Sequence, residues 1–88
     1  MASEKKVALV TGAGTGIGRA AALALHRSDH EVVLAGRRQE LLEETAGLAD
    51  PTERKMLVVA TDIAVPEQVS ALFAETRGTF GRLDVLFN

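Results

Sequence analysis

The groups best placed to do chemistry in this 88-residue chain are backbone amides in a glycine-rich segment near the N-terminus. Residues 11–18 read Thr-Gly-Ala-Gly-Thr-Gly-Ile-Gly, between the apolar run 7–10 and an alanine-rich segment of helical character. A strand, a glycine turn and a helix N-terminus together bind a diphosphate, because free N–H groups and the positive end of the helix dipole face the anion. The segment therefore predicts a nucleotide-binding loop.

The spacing of the glycines separates the known kinds of nucleotide loop. Counted from Gly12, the fingerprint Gly-x-Gly-x-x-Gly fails, because Ile17 occupies the position of its third glycine. A phosphate-loop NTPase fails too, since it needs Gly-Lys-Ser/Thr and no lysine occurs between residues 7 and 54. An S-adenosylmethionine methyltransferase would carry an acid at the end of the second strand, where Gly36 stands. The pattern that matches fully is Thr-Gly-x-x-x-Gly-x-Gly.

The elements that must position this loop alternate along the chain. Four near-continuous apolar runs are typical of strands covered on both faces of a parallel sheet, at residues 6–11, 31–36, 55–61 and 83–88. Helical patterns lie between them, at residues 16–28, 38–49 and 66–79. This alternation, with right-handed crossovers, predicts an α/β fold: a doubly wound parallel (Rossmann) sheet, here partial, with strand order 3-2-1-4.

The residues that could contact a nucleotide all fall at the carboxyl ends of predicted strands. They are Thr11–Gly18, Gly36–Arg38, Asp62 and Asn88, at the ends of strands 1, 2, 3 and 4 respectively. In a doubly wound sheet the ligand lies outside the carboxyl ends of the strands, where the strand order reverses. We therefore expect these four segments to meet at one edge of the sheet.

The end of the second strand indicates which dinucleotide binds. An NAD-binding protein places Asp or Glu roughly 20 residues after the glycine loop, where it accepts hydrogen bonds from the ribose 2′-OH. Here Gly36 stands at that position, and Arg37 and Arg38 follow it. Two guanidinium groups and no carboxylate favour the 2′-phosphate of NADP, with NAD as the weaker candidate. The alternative for Arg38 is that it begins the second helix as a solvated residue.

The chain resembles the short-chain dehydrogenase/reductase family in its single-domain form. The resemblance extends from Lys6 to Asn88 and includes the loop Thr11–Gly18, Asp62 after the third strand, and Leu83–Asn88, which stops at the first Asn of the family's Asn-Asn-Ala-Gly run. It implies that residues 1–88 are the N-terminal half of a dinucleotide-binding Rossmann domain.

The resemblance also assigns roles within the glycine loop. Backbone groups of five residues would surround the cofactor diphosphate: Gly12, Thr15, Gly16, Ile17 and Gly18. Gly14 and Thr15 would lie near the adenosine ribose. The hydroxyl of Thr11 is expected to order the turn rather than to contact the ligand.

Three further residues receive roles at the other strand ends. Asp62 would accept a hydrogen bond from the adenine amino group, and Ile63 would pack near the ring. The alternative for Asp62 is a cap for the loop before the third helix, and the two roles can coexist. Asn88 would either meet the cofactor or tie strand 4 to its neighbours.

The implied reaction is hydride transfer between a nicotinamide and an alcohol or carbonyl carbon of a small-molecule substrate. The family's Ser–Tyr–Lys group would belong to later segments, and the 88 residues contain no tyrosine, so no catalytic residue is assigned. We expect this chain alone to be inactive, and to need a missing C-terminal half or a homo-oligomer. The alternative is a non-catalytic dinucleotide-binding fragment or truncated product.

Composition narrows the remaining function classes. A net charge of −2 argues against nucleic-acid binding, and no apolar run approaches the roughly 18–20 residues that span a bilayer. The chain contains no cysteine, and its residues predict no metal site. Because disulfides are typical of oxidising compartments, we expect a cytoplasmic protein. His26 and His30 are expected at the surface. The glutamates of the second helix are expected on its solvated face and not as a paired-carboxylate site: Glu40, Glu43 and Glu44.

Overall fold

Four parallel strands and three helices alternate along the chain in a computed structural model that describes residues 2–88. The elements are β1 (Val7–Val10), α1 (Gly16–Arg27), β2 (Glu31–Gly36), α2 (Gln39–Gly47), β3 (Leu57–Ala60), α3 (Pro66–Phe80) and β4 (Val85–Phe87). The strands form one sheet in the order β3-β2-β1-β4, and every neighbouring pair is parallel. The predicted fold class and strand order are confirmed.

The register of the sheet brings the strand ends to a common edge. Val10 of β1 pairs with Leu34 of β2 on one side and with Phe87 of β4 on the other. Gly36, the last residue of β2, pairs with Ala60 at the end of β3. Because the strands are parallel, the segments that follow them emerge on the same side of the molecule.

Helices cover both faces of the sheet, which explains the continuous apolar runs of the central strands. On one face, α1 and α2 pack on a core of seven buried residues: Val10, Ala13, Ala22, Val32, Leu34, Leu42 and Met56. On the other face, α3 contributes Leu72 to a core with four strand residues: Val7, Leu9, Val33 and Ala35. The odd and even residues of each central strand point to opposite faces, and both sets are buried.

The periphery of the sheet is less well covered than its centre. β4 lies at an edge of the sheet, and Leu86 in its middle is 54% exposed. On α3 only Leu72 and Thr76 are fully buried, whereas Phe73, the residue after Leu72, is 39% exposed. Along the described residues, no helix combines the length and the apolar character needed to cross a membrane.

The expectation of two surface histidines was wrong for His26. This residue is 4% exposed, and its Nε2 lies 2.7 Å from the carbonyl oxygen of Arg54, to which it donates. His26 lies four residues after the buried Ala22, so both side chains occupy the face of α1 that packs on the sheet. His30 is half-buried in the following turn, with Nδ1 3.1 Å from the Ser28 carbonyl oxygen.

Candidate functional site

A cleft of about 380 Å³ opens at the carboxyl edge of the sheet. It is lined by Gly12 after β1, by Gly36 and Arg37 at the end of β2, and by the segment 61–64 after β3. The structure thus brings together three of the four segments in which the sequence predicts ligand contacts. The fourth, at the end of β4, reaches the same edge on the far side of β1.

The glycine loop has the conformation that a helix N-terminus facing an anion requires. Gly12 and Gly16 have φ values of +59° and +57°, in the left-handed region that side chains disfavour. α1 begins at Gly16, its N-cap Thr15 makes no side-chain cap hydrogen bond, and its first turn contains no acidic residue. The positive end of the helix dipole therefore meets no carboxylate from its own first turn. Ile17 is 78% exposed beside it.

Two other glycines of the loop are required by packing within the chain. A Cβ on Gly18 would overlap the carbonyl oxygen of Gly12, so the first turn of α1 lies directly on the loop backbone. A Cβ on Gly14 would stand 2.9 Å from the Cβ of Leu41, which brings α2 against the other side of the loop. The loop is thus packed closely against both α1 and α2.

A hydrogen-bonded connection that sequence reasoning missed fixes the loop from behind. The fully buried Thr45 of α2 donates its hydroxyl to the Ala13 carbonyl oxygen at 2.8 Å. Arg19 of α1 donates through Nε to the Thr45 hydroxyl at 2.9 Å and through Nη2 to the Leu41 carbonyl at 3.3 Å. The one local signal was the position of Thr45 three residues after Leu42, on the same face of the helix.

The two arginines after β2 have different surroundings. Arg37 lines the cleft. Arg38 is the N-cap residue of α2, and its Nε lies 2.8 Å from Oε1 of Glu40. Two hydrogen bonds lower the pKa of Glu40 below its ordinary value: the larger effect comes from a backbone N–H at the helix start, and the next from Arg38. The carboxylate is therefore charged at neutral pH. Arg38 therefore lies directly before α2 with its guanidinium paired, and its contact with a 2′-phosphate stays a prediction.

The loop after β3 is closed by hydrogen bonds of Asp62. Its Oδ1 accepts from the backbone N–H of Ala64 at 2.9 Å, and its own N–H donates to Oε1 of Gln68 at 2.7 Å. This is the capping role that the sequence allowed for Asp62, and adenine recognition by the same residue stays a prediction. Ile63 lines the cleft and is 61% exposed, as an apolar wall for a ring would be.

Thr11 and Asn88 connect β1 to β4 at the edge of the site. The hydroxyl of Thr11 donates to Oδ1 of Asn88 at 2.7 Å, and the Thr11 N–H donates to the Phe87 carbonyl at 2.9 Å. The Thr11 hydroxyl thus joins the start of the turn to the end of β4, which agrees with an ordering role; that it makes no contact with a ligand stays a prediction. Of the two roles expected for Asn88, this geometry supports the tie between strands; contact with a cofactor stays a prediction.

Comparisons with known proteins agree with this architecture. The family model of the short chain dehydrogenases matches residues 6–88. An uncharacterized oxidoreductase of Staphylococcus aureus strain USA300 is 46% identical over 83 residues, which cover 94% of this chain and 35% of the relative. The chain thus spans about a third of the length of the curated relatives it matches.

Solved structures of longer proteins share the fold. A 3-ketoacyl-(acyl-carrier-protein) reductase from Brucella melitensis, complexed with NADH, superposes with a TM-score of 0.82 at 35% identity and covers 92% of this chain and 32% of its own. The L-sorbose reductase from Gluconobacter frateurii, complexed with NADPH and L-sorbose, gives 0.86 at 36% identity over 98% and 33%. With the glycine loop and strand order described above, these matches show that the chain belongs to the short-chain dehydrogenase family.

Proposed function

We propose that this chain is the cofactor-binding part of an oxidoreductase that transfers a hydride between a nicotinamide and an alcohol or carbonyl carbon, with NADP preferred over NAD. The observation that carries the proposal is the cleft at the carboxyl edge of the sheet. Its lining includes Gly12 of the glycine loop, Gly36, Arg37 and Ile63, and the loop leads from Gly12 to the start of α1. A helix start that can receive an anion, a cation and an apolar wall are three features that suit a phosphorylated dinucleotide.

The preference for NADP rests on the last residues of β2. Gly36 has no side chain that could accept hydrogen bonds from a ribose 2′-OH, and Arg37 places a guanidinium in the same cleft. A charge-assisted hydrogen bond to a phosphate contributes about 1.5–3 kcal/mol, which corresponds to roughly a 10- to 150-fold preference. The neighbours bound to NADH and to NADPH support a nicotinamide dinucleotide in general.

Catalysis is proposed for a longer polypeptide that contains this chain. The 88 residues include no tyrosine, whereas the resemblance implies a Ser–Tyr–Lys group as the acid/base. We therefore expect these residues alone to bind the dinucleotide without turning over a substrate. The substrate class is a small alcohol or carbonyl compound, and homo-oligomer formation is proposed along with it. The second candidate, a non-catalytic dinucleotide-binding fragment, is favoured by the same lack of tyrosine.

A titration with the two reduced dinucleotides tests the cofactor proposal. The fluorescence of the reduced nicotinamide can be followed directly, because it is excited at wavelengths where protein side chains do not absorb. We expect NADPH to bind at least about 10-fold more tightly than NADH, and Arg37→Gln to remove most of that difference. Arg27→Gln is the control, because Arg27 is exposed at the far end of α1. Equal affinities for NADPH and NADH in the unmodified protein would overturn the preference.

A second experiment tests whether the 88 residues bind the dinucleotide while catalysis needs the longer polypeptide. The isolated chain should bind NADPH but show no oxidation of NADPH with any carbonyl compound offered. The longer polypeptide should bind NADPH and oxidise it. Steady NADPH turnover by the 88 residues alone would contradict the proposal. Binding without turnover by the longer polypeptide, over a broad set of carbonyl compounds, would favour the non-catalytic alternative.

A further inference from the structure

The ion pair between Arg38 and Glu40 lies beside the proposed 2′-phosphate site. Glu40 is not among the residues through which the chain resembles the short-chain dehydrogenases. Nε of Arg38 and Oε1 of Glu40 are 2.8 Å apart, and the two side chains are 69% and 62% exposed. The pair spans the first residues of α2, next in sequence to Arg37. It therefore places a carboxylate among the cations that would receive a phosphate dianion.

This pairing makes the two arginines unequal. Within residues 2–88, Arg38 is joined to a carboxylate, whereas Arg37 forms no ion pair. Arg37 also lines the cleft. An incoming phosphate would meet the unneutralised charge of Arg37 directly, but it would have to compete with Glu40 for the guanidinium of Arg38. The negative charge of Glu40 also repels the phosphate.

We propose that Glu40 is a specificity-determining residue that limits the preference for NADP, by holding Arg38 and leaving Arg37 as the main cationic contact for the 2′-phosphate. The inference rests on the proposed NADP-binding function and refines it. Glu40 acts on the 2′-phosphate alone, since NAD carries a hydroxyl there and gains little from a freed guanidinium. Its effect is therefore a change in the ratio of the NADPH and NADH affinities.

The expected effect is modest because both side chains are exposed. Ion pairs at a protein surface contribute little in water, so releasing Arg38 changes binding by a small factor. We expect Glu40→Gln to tighten NADPH binding about two- to fivefold and to leave NADH binding unchanged. Glu43→Gln removes the same charge from an exposed position one turn further along α2, where no arginine is paired with it. It should change the ratio by less.

A double-mutant cycle separates the two arginines. With Glu40 present, Arg38→Gln should have little effect on NADPH binding, because Arg38 is already engaged. In the Glu40→Gln background, Arg38→Gln should abolish the gain in NADPH affinity. The inference is overturned if Glu40→Gln leaves the NADPH/NADH affinity ratio unchanged, if it changes both affinities equally, or if the gain persists without Arg38.

Different experimental results would contradict this inference and the proposed function. The function fails if the unmodified protein binds both dinucleotides equally or binds neither. The inference fails if a preference for NADPH exists and Glu40→Gln does not raise it. A selective gain in NADPH affinity supports the inference whatever the starting ratio. Thermal unfolding without ligand should be nearly the same for the Glu40→Gln and Glu43→Gln proteins, since an exposed pair contributes little to stability.

Discussion

The buried hydroxyl of Thr45 donates a hydrogen bond of 2.8 Å to the carbonyl oxygen of Ala13, and this bond joins α2 to the glycine-rich loop. The same helix begins directly after Arg37 and Arg38. One helix thus positions both the cations proposed to bind the 2′-phosphate and the loop proposed to bind the diphosphate. Arg19 completes the connection by donating to the Thr45 hydroxyl at 2.9 Å.

Replacing Thr45 with valine should loosen this connection while keeping the side-chain shape. The Ala13 carbonyl and Nε of Arg19 would each lose a partner, and leaving buried polar groups unpaired costs about 1–3 kcal/mol of unfolding free energy. Urea unfolding measures the loss. Thr45→Ser is the control, since it keeps the hydroxyl and should recover most of the stability. If the serine and valine proteins unfold alike, the hydrogen bonds contribute nothing.

Gly18→Ala should destabilise the protein even without a cofactor. The added Cβ would overlap the Gly12 carbonyl oxygen, and the neighbouring backbone has no flexible side chain that could give way. Overpacking of this kind typically costs about 1–3 kcal/mol, and a clash with backbone should lie at the upper end of that range. Gly78→Ala in the last turn of α3 is the matched control, because its Cβ would meet nothing within 4 Å. That variant should lose no stability in thermal unfolding, and should gain at most about 0.5–1 kcal/mol. A fully stable Gly18→Ala protein would contradict the described packing.

Arg54→Met should weaken the fold without touching the site. Nε of Arg54 lies 2.9 Å from Oε1 of Glu31, and the two side chains are 20% and 19% exposed. That contact is an ion pair and not a hydrogen bond; the hydrogen bonds come from Nη2, which donates to the His30 carbonyl at 2.7 Å and to the His26 carbonyl at 3.2 Å. Losing these charge-assisted hydrogen bonds costs about 1.5–3 kcal/mol in denaturant unfolding.

A second substitution checks this explanation. Combining Arg54→Met with Glu31→Leu removes the uncompensated carboxylate and should recover part of the lost stability. NADPH affinity should be unchanged in both variants, since the pair lies at the amino edge of the sheet, away from the cleft. A double variant less stable than Arg54→Met alone would show that Glu31 stabilises the strand by other means.

Stability should depend on pH through Asp84. The Arg82 guanidinium, helped by the backbone N–H of Val7, lowers the pKa of Asp84 below its ordinary value of 3.8. The charged form is therefore favoured in the folded protein. Its stabilising contribution is fully present above the ordinary value and is lost as the pH falls through the lower folded-state pKa.

Asp84→Asn tests this pH dependence directly. The variant should be less stable than the unmodified protein at neutral pH, and the difference should shrink as the solution is acidified through the acidic range. Urea midpoints across a pH series provide the measurement. Arg82→Gln should move the loss of stability to higher pH, because the carboxylate then lacks its main partner. A constant difference between Asp84→Asn and the unmodified protein at all pH values would count against the explanation.

The central strands could be predicted because both of their faces are buried. In β1 and in the middle of β2 every residue is fully buried, so the sequence shows an uninterrupted apolar run instead of alternation. The parallel order followed from the helices between the strands. The predicted end of the third helix was one residue short: α3 continues to Phe80 and ends where Gly81 takes a φ of +73°.

Contacts between distant segments could not be predicted from local patterns. His26 packs against a loop residue, Arg54, that is 28 residues away, and Thr45 reaches Ala13 across 32 residues. In both cases the partner is a backbone carbonyl, which every residue has, so the residue type of the partner gives no sign of the contact. The pairing of Arg38 with Glu40 is local, but each residue alone resembles an ordinary helix-start residue.

The close approaches at Gly14 and Gly18 change what a glycine motif reports. At Gly12 and Gly16 a Cβ would meet no atom within 4 Å, and glycine is favoured there by the positive φ. At Gly14 a Cβ would clash with Leu41, and at Gly18 with the Gly12 carbonyl. A descendant of this chain that had lost its ligand would still need the latter two to fold. Two of the four loop glycines, Gly14 and Gly18, therefore report the architecture of the fold and not an enzymatic activity, so a search that scored them as a sign of activity would also select relatives that bind no ligand.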